Sequence, residues 1–107
     1  MEVSEIVSMT RKLTALFDAV VPRAWGIEAM VTELVAEVGT LADEIMITEG
    51  YRSMRERGSL DLADDVVDIL FMLIRFADYY TIDLEQAYVQ MVDDTKKILA
   101  TQVRSAQ

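Results

Sequence analysis

The chain has 107 residues, of which 52% are hydrophobic, with four glycines and one proline: enough apolar material for one packed domain over residues 1–107, and the wrong composition for disorder. It contains no cysteine and no histidine, which excludes disulfides and thiolate or imidazole metal sites and removes the commonest strong nucleophile and general base. Any metal must be held by oxygen, which selects hard ions such as Mg²⁺, Mn²⁺ or Ca²⁺. Nineteen acidic residues against ten basic ones give a net charge of −9, which disfavours a nucleic-acid partner but leaves room for a small anionic substrate bridged to carboxylates by a divalent cation.

In chain order, Val3, Ile6, Val7, Leu13, Leu16, Phe17 and Val20 keep helical spacing and predict a first amphipathic helix that stops near Pro22. A second helix is predicted from about Trp25 to Ile47, with Ile27, Met30, Val31, Leu34, Val38, Leu41 and Ile45 on one face. Thr48 to Ser59 (TEGYRSMRERGS) carries two glycines and three arginines and reads as a loop. Ser59 is placed to cap a third helix that runs to about Tyr80, apolar almost all round and therefore central. Asp83 and Gln86 have capping-box spacing and open a fourth helix to roughly Val103. The pattern is all-α, a four-helix bundle-like subunit, and the third helix carries more apolar surface than one small bundle covers, so completion by a second copy is expected. The seven methionines read as adaptable core filler. No apolar run approaches the roughly 18 residues of a membrane span, and the acidic, amphipathic start MEVSEIVSMTRK is unlike a signal peptide, so the expected location is the cytoplasm, with no membrane partner.

The chemistry lies in two acidic stripes. Asp61, Asp64, Asp65 and Asp68 share one face of the third helix, continued by Met72, Arg75 and Tyr79. The macrodipole accounts for acids in the first turn but not for Asp68, two turns in and flanked by Val66, Val67, Ile69 and Leu70. On the second helix Glu33, Glu37, Thr40 and Glu44 run beside the apolar face. Antiparallel neighbours with acids at the edges of their packing faces repel each other unless a divalent cation stands between them, and inward carboxylates on facing helices are how bundles build metal sites.

On these residues the chain resembles the MazG-like, all-α nucleoside triphosphate pyrophosphohydrolases. That family carries Glu-x-x-Glu on one helix and Glu-x-x-Asp on the next. The counterparts are EVGTLADE (Glu37 to Glu44) and LADDVVDIL (Leu62 to Leu70), followed by FMLIRFADYYTIDLEQAYVQM; the resemblance runs from about Trp25 to Lys97. It implies hydrolysis of a (deoxy)nucleoside triphosphate to monophosphate and pyrophosphate, with Mg²⁺ or Mn²⁺ as cofactor and a homodimer or homotetramer as the assembly. Glu37, Asp65 and Asp68 are the expected catalytic and metal-holding acids, with Glu33, Glu44 and Asp64 as further metal candidates. Trp25, Arg52, Arg55, Arg75, Lys96 and Lys97 are the substrate-binding candidates, Trp25 or one of Tyr51, Tyr79 and Tyr80 by stacking on the base. Arg75 is also placed to pair with Asp68 or Asp78. The chain departs from the family at Thr40, where the first pair has its second acid, at Asp65 for a glutamate, and at Gln90 and Asp94. The alternative reading is therefore a catalytically impaired helical oligomer of the same fold with a structural or regulatory nucleotide- or metal-binding role. DDVVD also matches the aspartate signature of prenyl-diphosphate synthases, but 107 residues leave no room for an isoprenoid cavity. Phosphoribosyl-ATP pyrophosphatase is a nearer relative in fold, with no feature here that selects it.

Overall fold

A computed structural model describes residues 1–54 and 60–106. The chain is all-α: helices α1 (Val3–Val20), α2 (Ile27–Thr48), α3 (Leu62–Tyr79) and α4 (Leu84–Ala106), with no strand among the described residues. None of these helices is long and apolar enough to cross a membrane.

Each helix ends for a local reason. Val21 precedes Pro22, which pushes it out of the α region; it sits at φ −75°, ψ 150° and its N–H closes the last turn onto the Phe17 carbonyl. Helix α2 ends in a Schellman motif. Gly50 takes φ +81°, its N–H donates to the Ile47 carbonyl at 3.0 Å, and the Tyr51 N–H reaches back to that of Met46 at 2.8 Å. Helix α3 ends the same way, through Thr81 N–H to Asp78 and Ile82 N–H to Ala77. Here the left-handed position, φ 56°, is occupied by the β-branched Thr81, which is strained there.

Three boundaries differ from the sequence reading. Helix α2 begins at Ile27, two residues past Trp25, with Gly26 as an N-cap that offers no side chain. Ser59 lies outside the described residues; the N-cap of α3 is Asp61, whose Oδ1 accepts from the Asp64 N–H at 3.0 Å. Asp83 does the same for the Gln86 N–H at 3.0 Å, as its spacing predicts, and α4 runs three residues past Val103.

Helices α2 and α3 form a tight hairpin, and α1 packs on α3, through an edge-to-face contact of Phe17 with Phe71 at 6.1 Å and an Arg11–Asp78 ion pair at 2.6 Å. Met30, Met72, Ile74 and Ala77 are buried where these helices meet. Two of the seven methionines are therefore core filler; Met1, Met9, Met54 and Met91 are exposed. Helix α4 touches almost nothing in its own chain: of its residues with described side chains only Leu84 and Val92 are not exposed. Tyr51, Tyr79 and Tyr80 are not core residues either, although Tyr79 and Tyr80 stack edge-to-face at 4.9 Å. The radius of gyration is 18.2 Å, against about 13 Å for a compact chain of this length.

The caps make a matched test. Asp61→Ala removes a cap and lowers stability by about 1 kcal/mol. Thr81→Gly relieves the left-handed position and raises it by about 1 kcal/mol. Thermal denaturation of the two variants moves the midpoint in opposite directions by several degrees.

Candidate functional site

The helical periodicity of α2 and α3 brings the two acidic stripes face to face. Glu44 lies opposite Asp65 and Asp61, while Glu37 and Glu33 lie opposite Asp68. Numbers fall on one helix as they rise on the other, so the helices run antiparallel, as a hairpin requires. Asp65 is buried at 6% exposure, and Asp68 is half-buried between α1 and α2.

The acids feel one another. The Glu37 carboxyl, within hydrogen-bonding reach of Glu33, is pushed up to about 7, first by that contact, then by burial and by the charges of Asp68, Glu33 and Asp65. Glu44 is raised mainly by its hydrogen-bonding contact with Asp65, then by burial. Burial raises Asp68, with Asp64, Asp65 and Glu33 adding repulsion. Two buried carboxylate oxygens, Glu44 Oε2 and Asp65 Oδ2, are acceptors that meet each other's carboxyl group and no donor from the rest of the protein. Orphaned buried acceptors are expensive, and they fit an all-oxygen set suited to a hard divalent cation. Among the described residues, however, no three acids already converge on one centre; they stand as two carboxyl pairs, one above the other.

Some of these acids open onto a cavity of about 530 Å³ between α1, α2 and α3, whereas Glu44 and Asp65 do not line it. Its lower wall carries Glu33, Glu37 and Asp68; its sides are apolar, with Leu13, Phe17 and Phe71; and Trp25 and Arg75 stand at its far end. Most ligand cavities have this character, apolar walls with a few convergent polar groups, and this volume.

The other candidates fare unevenly. Trp25 and Arg75 line the cavity with the acids. Arg75 pairs with neither Asp68 nor Asp78. Asp78 is taken by Arg11 at 2.6 Å, and Arg75 instead leans toward Asp18, 3.9 Å away on α1. Arg52 is held by Asp43 at 2.6 Å, outside the cavity. Lys96 and Lys97 are exposed on α4, which contributes nothing to the cavity wall. Arg55 lies outside the described residues, as does Arg57. Asp64 is exposed on the first turn, and its N–H is what Asp61 caps. Thr40 is exposed, and its hydroxyl donates to the Ala36 carbonyl at 3.2 Å, inside its own helix.

The sequence reading missed the contribution of α1: Leu13, Phe17, Asp18 and Val21 close the cavity. The signal was present, since Leu13, Phe17 and Val21 repeat every four residues and Asp18 interrupts the apolar face beside them.

Comparison with protein-family models, with curated protein sequences and with solved structures finds no match to this chain.

The acids dictate a pH dependence. Glu37 binds its proton more tightly folded than unfolded, so this contribution to stability is complete below the ordinary carboxylate range and is lost as pH rises toward about 7. Glu44 and Asp68 act in the same direction. In metal-free buffer the thermal midpoint falls between pH 5 and pH 8, and Glu37→Gln flattens that fall; a midpoint rising over this range contradicts the assignment.

Proposed function

We propose that the chain is a Mg²⁺- or Mn²⁺-dependent nucleoside triphosphate pyrophosphohydrolase that releases pyrophosphate and a nucleoside monophosphate. The observation that carries this reading is that Glu37 and Asp68, near enough across the α2–α3 hairpin for the charge of Asp68 to act on Glu37, both line a 530 Å³ cavity that also holds Trp25 and Phe71. Phosphates belong at the acidic edge, bridged by a cation, and a base belongs against Trp25 and Phe71.

Glu37, Asp65 and Asp68 would hold the ion, with Glu33 and Glu44 beside them. When bound, the ion would supply charge neutralisation on the phosphates and Lewis-acid polarisation of the attacking water. Glu33 fixes the Glu37 carboxyl through their shared contact. A carboxylate beside the ion would take the proton that a water loses as it adds to phosphorus and pyrophosphate departs. The apolar walls keep bulk water from the reacting end.

The reading includes a homodimer or homotetramer. The chain exposes 8549 Å², roughly 2,500 Å² more than a compact monomer of its mass, and the excess includes apolar side chains on α2 (Val31, Val35, Val38), α3 (Val66, Leu70, Leu73) and α4 (Tyr88, Ile98, Leu99). A second reading, a non-catalytic nucleotide- or metal-binding oligomer, is favoured by Thr40, whose hydroxyl is spent within its own helix.

Mg²⁺ or Mn²⁺ is expected to raise the thermal midpoint, and pyrophosphate to be released from at least one nucleoside triphosphate in a panel. Asp68→Asn is expected to lower release by more than the roughly 10–100-fold typical of losing an outer-sphere partner, with helical circular dichroism intact. A metal-stabilised chain that releases nothing supports the second reading; indifference to metal together with no release removes both. Sedimentation is expected to give two or four chains, and a monomer at high concentration removes the oligomer.

A further inference from the structure

Among the described residues Arg75 is the only cation lining the cavity, and it is oddly kept. It is 8% exposed, yet its closest carboxylate oxygen, Asp18 Oδ1, stands 3.9 Å away, past hydrogen-bonding distance. A buried guanidinium ordinarily spends its five N–H donors on protein acceptors. This one is held by aromatic faces instead, 5.6 Å from the centre of Trp25 and 6.0 Å from that of Phe71. Its donors and the acceptors of Asp18 therefore form an adjacent polar edge of the chamber, apart from the acids Glu33, Glu37 and Asp68. Asp68 lies two turns down α3, roughly 10 Å away, comparable with the reach of a nucleotide from its α-phosphorus to the far edge of its base. Phe17, Phe71 and Trp25 supply surfaces on which a base stacks.

We infer that this edge reads the base, and that the base is guanine. Of the four common bases, guanine alone sets two neighbouring N–H donors, N1 and N2, beside two neighbouring acceptors, O6 and N7. Asp18 accepts from the first pair, and Arg75 donates to the second in the bidentate manner usual for arginine and guanine. Adenine offers the carboxylate one amino group, cytosine likewise, and uracil a single ring N–H. The inference rests on the nucleotide reading of the cavity but not on hydrolysis.

Nucleosides test it without phosphate or metal. Calorimetric titration of the full chain with guanosine, adenosine, cytidine and uridine is expected to show guanosine bound at least roughly tenfold more tightly than the others. Asp18→Asn exchanges an acceptor for an amide donor, so preference is expected to move to xanthosine, whose C2 oxygen replaces the amino group. Circular dichroism checks that the variant folds. No guanosine binding, equal binding of all four nucleosides, or a folded Asp18→Asn variant that still prefers guanosine overturns the inference. Guanosine binding by a chain that releases no pyrophosphate keeps the base site and removes the hydrolase. Release from all four triphosphates at equal kcat/KM does the reverse.

Discussion

The architecture depends on one electrostatic constraint: α2 and α3 pack against each other with their acids on the seam. Taking a carboxylate out of water is unfavourable by several kcal/mol even after the protein relaxes, and here Glu33, Glu37, Glu44, Asp65 and Asp68 share one hairpin. The Glu37 carboxyl responds by holding its proton more tightly, and Asp68 stays only half-buried. Among the described residues none of these acids is paired with a cation of the chain. The nearby arginines point elsewhere, Arg11 to Asp78 and Arg52 to Asp43, and Arg75 stands apart against Trp25.

The cavity inherits its polarity from that seam. Antiparallel packing sets Glu37 against Asp68, while the loop ending at Gly26 carries Trp25 toward Arg75, two turns further along α3. Helix α1 and the residue that ends it then cover the space between with Leu13, Phe17 and Val21. Acids at one end, aromatic rings and a guanidinium at the other, and hydrocarbon between them suit an elongated ligand with a charged head and a flat tail.

Much of this was readable from the chain alone, and the limits are physical. Helix existence follows from a 3.6-residue period, which Pro22, Gly50 and Asp83 punctuate clearly. The facing of Glu37 and Asp68 follows because both stripes flank packing faces joined by one connection. The cap of α3 was misplaced because Ser59 and Asp61 both qualify chemically, and only the backbone at residue 61 decides between them. Arg75 was assigned to Asp68 or Asp78 by helical spacing, which sees neighbours on one helix and not Asp18 or Trp25 from two others. The isolation of α4 could not be read at all: its apolar stripe of Tyr88, Met91, Ile98 and Leu99 looks the same whether its cover comes from its own chain or from another.

Trp25 has a use beyond packing. It is the single tryptophan of the chain, it precedes α2, and its ring lies against Arg75 of α3 beside the residues that α1 contributes. Indole emission is sensitive to nearby charge and to water, and here it has one source, placed where three helices meet around the chamber. The tryptophan emission of this protein, excited apart from its four tyrosines, is thus a local signal rather than an average over the fold, and a shift in its wavelength records an event at the aromatic end of the cavity without any label attached.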